Sequence, residues 1–169
     1  HRKCNVMPRS ITIDFETRSV LDVKTVGPYR YFEHPSTRPL CVAVSMGGRA
    51  GVFRDFDRMP QWVLDALADP EVEVHAHNAT FERLCIREIM GPCYGWPVPK
   101  GRRYKCSAAR ARRLALPGKL EKLGPALNIA DHFLKDTEGH KIMLRLTKPR
   151  RPRKGEEPGI YWDDDEAKH

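Results

Sequence analysis

The stretch Leu40–Met46 (LCVAVSM) is a continuous apolar run of strand length, and it constrains the fold more than any other feature. Two glycines interrupt the run, and Ala50–Phe53 then returns as a second apolar segment, which predicts a β-hairpin. The β-branched, alternating segment Ser10–Asp14 predicts another strand, ending at Asp14, and Val72–His77 predicts a further one. The amino-terminal half of the chain therefore predicts a β-sheet.

Amphipathic helices are predicted between and after these strands. The segment Pro60–Leu67 has a proline at a plausible first helical position and apolar residues on one stripe. A second helix is predicted to begin with a cap at Asn78 or Thr80 and to run to about Met90. Strands followed by a strand–helix pair and then by helices indicate an α/β fold with a central mixed sheet flanked by helices. Further helices are predicted within Val23–His34, Cys106–Leu114, Lys119–Leu127 and Lys141–Leu146.

Length and composition limit the class of protein. With 169 residues and no low-complexity linker, we predict one domain over residues 1–169, with residues 148–169 a flexible loop and tail. No apolar run approaches the roughly 18–20 residues that a membrane span needs, and the amino terminus lacks the apolar region of a signal peptide. The five scattered cysteines form no C-x-x-C pair, which favours a reducing cytosolic setting (a bacterial or phage-infected host cytosol). Because the chain begins without Met, we expect a piece of a longer protein.

The positive charges are clustered along the sequence. The formal net charge is +8, and Lys100–Lys122 holds nine basic residues against one acid. Lys141–Lys154 adds seven more basic residues and no acid. One such run is usually a solvated face, but two of them in a small domain favour a surface that binds the phosphates of a nucleic acid.

Two acidic residues, Asp14 and Glu16, stand at the end of the first predicted strand. Alternation along a strand places residues i and i+2 on one face, so both carboxylates point the same way. Like charges held this close are costly unless a cation or a proton lies between them, and Mg²⁺ takes oxygen ligands of this kind. Taken alone, however, such a pair is common, and it indicates two solvated surface acids more often than a metal site.

A third acid, Glu82, follows the predicted strand Val72–His77 in the sequence His77-Asn78-Ala79-Thr80-Phe81-Glu82. It would lie in the first turn of a helix, at the carboxyl edge of the sheet where ligands gather in open α/β folds. The alternative is structural: Asn78 caps the helix, and Glu82 complements the helix dipole.

Together, the two segments resemble a known family. The pattern D-x-E-T at Asp14, followed by N-x-x-F-E at Asn78, is similar to the first two motifs of the DEDD superfamily of 3′→5′ exonucleases. The likeness is greatest to the proofreading domain of family A, phage-type DNA polymerases. The likeness extends to the sequences of Gly27–Arg38 and Leu120–Leu146, and so covers nearly the whole chain.

The resemblance implies a ribonuclease-H-like fold and a two-metal hydrolase that cleaves phosphodiester bonds at a DNA 3′ end. By this likeness, Asp14 bridges both metal ions, Glu16 binds the metal that activates water, and Glu82 falls where most members have Asp. A carboxylate set without His or Cys suits Mg²⁺ or Mn²⁺ better than Zn²⁺. Two such cations roughly 3.5–4 Å apart lower the pKa of the attacking water and stabilise the leaving oxygen.

The same resemblance implies a single-stranded DNA or frayed primer 3′ end as the substrate, and a polymerase domain in the parent chain. Tyr104 lies among basic residues and is the best candidate for stacking on an unpaired base. The predicted substrate-binding residues are Thr17, Asn78, Phe81, Arg102, Arg103, Tyr104 and Lys105.

The family completes its site with a Y-x-x-x-D motif. Tyr161 and Asp165 have this spacing, which makes Asp165 the candidate fourth metal ligand. We favour a different interpretation, in which the chain stops short of the motif, because in relatives a similar W-x-D-rich stretch precedes it. A chain without the fourth acid would be a non-catalytic nucleic-acid-binding module. An RNA exonuclease of the same superfamily is disfavoured, because those members place a His shortly before the last acid and none precedes Asp165 here.

Overall fold

The computed structural model describes residues 9–129 and 137–162. Within them, five strands form one mixed sheet in the order β3-β2-β1-β4-β5. Strand β4 is parallel to both β1 and β5, whereas β2 and β3 are antiparallel. The mixed α/β sheet predicted from the sequence is therefore present. The strands are β1 (Ser10–Arg18), β2 (Arg38–Met46), β3 (Arg49–Phe53), β4 (Glu73–Ala76) and β5 (Tyr104–Cys106).

The helices are short. A π-helical segment, Ile86–Met90, continues α3 into α4, and a 3₁₀ turn, Gly101–Arg103, precedes β5. None of the helices within the described ranges has the length and hydropathy required to cross a bilayer. The α-helices are α1 (Val23–Glu33), α2 (Gln61–Ala68), α3 (Thr80–Cys85), α4 (Gly91–Tyr94), α5 (Ser107–Arg113), α6 (Leu120–Ala126) and α7 (Thr137–Thr147).

The chain divides into two compact units, and the boundary falls inside β1 and β2. The first unit comprises His1–Asp14 and Val42–Ser107, and the second comprises Phe15–Cys41 and Ala108–His169. The single domain expected from the sequence stays a prediction.

The first unit is built on buried strand residues. Along β1, Ile11 and Ile13 are buried while Thr12 and Asp14 are exposed, which is the alternation that the sequence predicts. The hairpin between β2 and β3 turns at two glycines with φ of 56° and 81°, a region that other residues rarely adopt. In this unit the side chains with the lowest exposure are Ile11, Ile13, Val42, Val63, Leu67, Val72, Val74, Leu84, Cys85, Ile86 and Met90.

The second unit begins with α1, whose amino terminus is capped by Asp22. The Asp22 carboxylate accepts a hydrogen bond of 2.9 Å from the backbone N–H of Lys24. The helix is interrupted at Gly27, where φ is 78°. The short helix that the sequence predicts here is therefore present as two helical segments, one on each side of Gly27. Tyr31 and Phe32 are buried, with ring centroids 5.2 Å apart in an edge-to-face arrangement.

Two strand predictions need correction. Strand β1 was predicted to end at Asp14 but continues to Arg18, because Phe15, Thr17 and Arg18 are buried and prolong the strand. Cys106 was predicted to begin a helix but ends β5, because it pairs with Ala76 of β4. Short strands such as β5 carry too few residues for periodicity to identify them.

The predicted cap of the helix that carries Glu82 is also wrong. Helix α3 begins at Thr80, and its capping position is Ala79, which makes no side-chain capping bond. Asn78 instead adopts left-handed backbone geometry, with φ of 67°. Asparagine tolerates this conformation in tight turns, so Asn78 reverses the chain between β4 and α3.

The segment after α7, residues 148–161, contains neither helix nor strand, in agreement with the prediction of a loop. The buried Arg150 guanidinium donates to both carboxylate oxygens of Glu156, at 2.6 and 2.9 Å. Its backbone N–H donates to the carbonyl of Ile160 at 2.9 Å. These bonds close the loop on itself. The predicted Asp165 lies outside the described residues.

We expect Glu156→Gln to loosen this loop. The Arg150 hydrogen bonds and the Arg153 backbone N–H lower the pKa of Glu156 to about 2. Because the pKa is lower in the folded state than the ordinary 4.5, the carboxylate stabilises the loop above about pH 4.5 and loses this effect as the pH falls toward 2. Trypsin should cut the Glu156→Gln variant faster than wild type within residues 148–158 at neutral pH.

The control for this experiment is Glu157→Gln, which removes an exposed neighbouring carboxylate. Equal cleavage of both variants would contradict the assigned role. An NMR titration of the Glu156 carboxyl carbon provides a second check, since its midpoint should lie near 2 rather than near 4.5.

Candidate active site

The parallel pairing of β1 with β4 determines what lies beside Asp14. In the register, Thr12 pairs with His75. Beyond this pairing, Asp14 lies two residues further along β1, and β4 ends at Ala76, just before the turn that opens α3. Glu82 is in the first turn of that helix. Two of the three predicted metal ligands, Asp14 and Glu82, are thus delivered to the same edge of the first unit.

Glu82 is buried, with 3% of its surface exposed. Burial, with a further contribution from the Glu82 charge, raises the pKa of the Cys85 thiol. A buried carboxylate is costly unless a donor or a cation compensates its charge. An acid in this position is suited to bind a cation, and this environment is not evident from the sequence, where Glu82 looks like an ordinary first-turn acid.

Tyr104 is half-buried on β5, and its hydroxyl group is completely buried. Within residues 9–129 and 137–162, this hydroxyl has no hydrogen-bond partner. Burial raises the pKa of Tyr104, and the charge of Glu82 acts in the same direction. Because the hydroxyl is buried, only the remaining part of the ring is available for the predicted stacking on a base.

The two adjacent arginines predicted to bind substrate have different environments. Arg102 is exposed, whereas Arg103 is buried. The Arg103 guanidinium donates three hydrogen bonds to backbone carbonyls of its own unit, at 2.7 to 2.9 Å. This position argues against the predicted contact of Arg103 with substrate and indicates a structural role. The accepting carbonyls belong to Ala66, Leu67 and Val72.

The remaining predicted substrate residues of the first unit lie at or near the surface. Asn78 is exposed in the turn before α3, and Phe81 is half-buried in the first turn of this helix. Lys105 is 48% exposed, and its ammonium lies 3.3 Å from the carboxylate of Glu73. The Glu73 carboxylate also accepts a hydrogen bond from His75 at 2.9 Å. Asn78, Phe81 and Lys105 remain candidates for contact with a nucleic acid.

In the second unit, Glu16 and Thr17 line a pocket of about 180 Å³. Glu16 is half-buried, and the buried Thr17 hydroxyl is 2.8 Å from the hydroxyl of Tyr31. Helix α7 also lines this pocket, through Met143, Leu144 and Thr147. The sequence did not indicate this contribution, because no local pattern links α7 to the D-x-E-T motif.

A chain of buried and half-buried hydroxyl groups links the end of β1 to the turn after α1. Thr37 Oγ1 lies 2.5 Å from the carbonyl of Tyr31 and 2.9 Å from Ser19 Oγ. Since a carbonyl only accepts, the Thr37 hydroxyl donates to it, and the Ser19 hydroxyl must donate to Thr37. Ser36 Oγ lies 3.0 Å from Ser19 Oγ and 2.8 Å from Nδ1 of His34. This hydroxyl network holds the segment that follows Glu16 and Thr17.

We expect Thr37→Val to destabilise the protein by about 1–3 kcal/mol, because it removes the two buried hydrogen bonds that the Thr37 hydroxyl makes with the Tyr31 carbonyl and the Ser19 hydroxyl. Urea denaturation measures this free energy of unfolding. Thr37→Ser keeps the hydroxyl and should recover most of the loss. If valine and serine have the same effect, packing rather than the hydroxyl network determines stability here.

The donor chemistry of the predicted metal site fits a cation that prefers oxygen ligands, since Asp14, Glu16 and Glu82 are all carboxylates. However, over residues 9–129 and 137–162, no group of three or more His, Cys, Asp or Glu side chains is arranged to hold a metal ion. The fourth candidate, Asp165, is not among these residues.

Comparison with solved structures identifies the fold class. Exonuclease I is 12% identical in sequence and superimposes with a TM-score of 0.51, over 80% of this chain and 40% of that chain. Brucella melitensis NrnC, in a structure with bound Mg²⁺, is 18% identical with a TM-score of 0.47, over 83% of this chain and 67% of that chain. The fold is the α/β, ribonuclease-H-like fold that the sequence predicts.

At the level of sequence, the chain is similar to part of a DNA polymerase. It is 31% identical over 149 residues to the DNA polymerase of Bacillus phage SP02. The similarity covers 86% of this chain but 22% of the polymerase, so the chain spans about a fifth of that relative. No model of a known protein family matches the chain. The expected likeness to a phage DNA polymerase is confirmed.

Proposed function

We propose that this chain is a metal-dependent 3′→5′ exonuclease domain of the proofreading type, which hydrolyses phosphodiester bonds at a DNA 3′ end. The observation that carries the proposal is the parallel pairing of β1 with β4, which sets Asp14 and the buried Glu82 at the same edge of the first unit. Similarity to a phage DNA polymerase supports the choice of DNA as substrate.

In this proposal, Asp14, Glu16 and Glu82 hold two divalent cations, Mg²⁺ or Mn²⁺, and Asp165 is the candidate fourth ligand. When bound, such cations supply a nucleophilic water at neutral pH and stabilise the leaving oxygen. Glu82 contributes a carboxylate on a longer arm than the Asp of most DEDD exonucleases. Its burial removes competing water, which strengthens the attraction between the carboxylate and a cation.

The pocket beside Glu16 and Thr17 is the proposed site for the terminal nucleotide. At about 180 Å³ it accommodates one base-sized group rather than a base pair, which favours an unpaired 3′ end. Exposed cations then follow the backbone of the strand, so affinity should fall steeply with salt. These cations are Arg102, Lys105, Arg110, Arg112, Arg113, Lys119 and Lys122.

The proposal is tested with a 5′-labelled single-stranded DNA incubated with the chain in Mg²⁺ and in Mn²⁺. The expected result is a ladder that shortens from the 3′ end one nucleotide at a time. A 3′-labelled copy of the same oligonucleotide should release its label as a mononucleotide from the first turnover. Internal cuts, or shortening from the 5′ end, would refute the proposed polarity.

A second candidate function is a non-catalytic module that binds nucleic acid. It is favoured by the lack of a three-ligand metal group within the described ranges. Calorimetric titration with Mn²⁺ separates the two functions, because the exonuclease requires two bound ions and an incomplete carboxylate set binds the second ion poorly. A DNA that is shifted in a gel but never cut would support the binding module.

A further inference from the structure

The first unit contains a cavity of about 350 Å³ beside α2, which we call the α2 cavity. One of its walls is a single stripe of α2, because the lining residues recur every three or four positions from Trp62 to Asp69. The hairpin between β2 and β3 and the residues just before β1 and β4 complete the lining. The lining residues are Arg9, Met46, Gly47, Arg49, Trp62, Asp65, Ala66, Asp69 and Val72.

The α2 cavity lies away from the candidate active site. Arg9 and Val72 immediately precede the parallel strands β1 and β4, so the cavity is at the amino edge of these strands. Asp14 lies five residues after Arg9, which corresponds to roughly 16 Å of extended strand. A ligand in the α2 cavity therefore leaves the carboxyl edge, with Asp14 and Glu82, unoccupied.

Hydrogen bonds hold the walls of the α2 cavity in place. The Arg103 guanidinium donates to the carbonyls of Ala66 and Val72, at 2.9 and 2.8 Å. The Arg9 guanidinium donates to the Asp69 carboxylate at 2.6 Å, so the charges of this pair compensate each other. A cavity with fixed walls loses little conformational freedom when a ligand binds.

Three lining groups are left to contact a ligand. Trp62 is half-buried and provides a flat aromatic ring. Asp65 is exposed, and its carboxylate accepts a hydrogen bond of 2.9 Å from Gln61, which leaves further acceptor positions. Arg49 is also exposed, and within residues 9–129 and 137–162 its guanidinium makes no hydrogen bond or ion pair. The cavity thus combines a stacking surface, a hydrogen-bond acceptor and an uncompensated cation.

This combination matches the chemistry of a nucleotide. An indole ring stacks on the face of a base, and a guanidinium binds two oxygens of one phosphate group. A carboxylate accepts a hydrogen bond from the exocyclic amino group of cytosine, whereas thymine presents a carbonyl oxygen at that position. The volume of about 350 Å³ is within the range of about 300–1,000 Å³ that is typical of small-molecule sites.

We propose that the α2 cavity binds a nucleoside 5′-monophosphate whose base carries an exocyclic amino group. The base stacks on Trp62, its amino group donates to Asp65, and the phosphate is bound by Arg49. One uncompensated guanidinium suits one phosphate group, so the ligand is a mononucleotide rather than a strand. The inference goes beyond the proposed exonuclease and does not depend on its metal ligands.

The test follows the indole N–H signal of Trp62 by NMR in a ¹⁵N-labelled chain, because this signal reports on the α2 cavity itself. The chain has three tryptophans, and the Trp62 signal is the one that Trp62→Phe removes. In EDTA, where no metal-dependent cleavage occurs, deoxycytidine 5′-monophosphate should shift this signal to saturation. Thymidine 5′-monophosphate should bind about tenfold more weakly, the discrimination expected from one base contact.

Two variants separate the phosphate contact from the base contact. Arg49→Met should raise the dissociation constant of both nucleotides about tenfold, because it removes a hydrogen bond between charged groups. Asp65→Asn should instead abolish the preference for deoxycytidine monophosphate, since an amide both donates and accepts. Matched controls are Arg54→Met and Asp57→Asn, which change exposed residues that do not line the cavity. Both controls should bind as wild type does.

The inference is overturned if the Trp62 signal does not respond, or if Asp65→Asn keeps the preference between the two nucleotides. Tighter binding of a deoxycytidine trinucleotide, or of free tryptophan with its flat ring and carboxylate, would overturn the assignment of a mononucleotide. A chain that cuts DNA without a response at Trp62 would leave the exonuclease proposal intact and remove only this site. A selective response in a chain that never cuts DNA would support the site and remove the exonuclease.

Discussion

Replacing Asp14 with asparagine is expected to reduce DNA cleavage by about 10³-fold, in Mg²⁺ and in Mn²⁺ alike. Asparagine keeps the shape of the side chain but removes the charge that would hold the cations. Bound metal ions supply several kcal/mol of transition-state stabilisation, and each 1.4 kcal/mol is a factor of about ten in rate. The measurement is the initial rate at which a 5′-labelled single strand is shortened.

The matched control for Asp14→Asn is Thr12→Ala, which alters an exposed residue on the same face of β1, two positions earlier. This control should retain the wild-type rate. Binding of the DNA in EDTA should be the same for both variants, since neither change alters the basic surface. Cleavage by Asp14→Asn within tenfold of wild type would exclude Asp14 as a metal ligand and would point to a contaminating nuclease.

Replacing Arg103 with methionine is expected to destabilise the protein by about 3–5 kcal/mol. The change leaves the buried carbonyls of Ala66, Leu67 and Val72 without their donor, and each buried unsatisfied group costs about 1–3 kcal/mol. Methionine fills most of the space of the aliphatic stem, so the loss reports the hydrogen bonds more than the packing. Urea denaturation, followed by circular dichroism, gives the free energy of unfolding.

Arg102→Met is the natural comparison, because Arg102 is the exposed neighbour of Arg103. It should leave the free energy of unfolding unchanged and weaken the binding of single-stranded DNA at low salt. Equal stability of the two variants would show that the three carbonyls find other partners. The reverse outcome, in which only Arg103→Met weakens DNA binding in a folded protein, would return Arg103 to the substrate surface.

The adjacent arginines illustrate what local sequence leaves open. Both belong to the same basic run, and both were predicted to contact substrate. Arg102 is solvated, whereas Arg103 donates hydrogen bonds to backbone carbonyls at the end of α2 and just before β4. No periodicity distinguishes the two side chains, because the carbonyls that capture Arg103 are more than thirty residues away in the chain.

The turn before Glu82 is a second example. The sequence offered Asn78 as a helix cap, which is the usual role of asparagine ahead of a helix. The structure instead uses its tolerance of positive φ to reverse the chain. Both roles are properties of the same residue type, and the short connection decides between them, since only three residues separate the end of β4 from the start of α3.

By itself, the sequence determined the local elements whose patterns are strong: the apolar strand β2, the glycine turn into β3, helix α2 and the alternation along β1. The sequence also contains the D-x-E-T and N-x-x-F-E motifs, which indicated the likeness to a polymerase exonuclease. These features can be predicted because they depend on the spacing of side chains and on the residue types at turns, and both are determined by residues close together in the sequence.

Only the tertiary structure decided which residues meet across long separations. The parallel pairing of β1 with β4 sets Asp14 at the same edge of the first unit as Glu82, and α7 contributes to the lining of the pocket at Glu16. The loop after α7 adds Lys148 to Asp22. Such contacts arise from strand pairing and from packing between distant segments. They depend on the whole chain rather than on any short stretch of sequence.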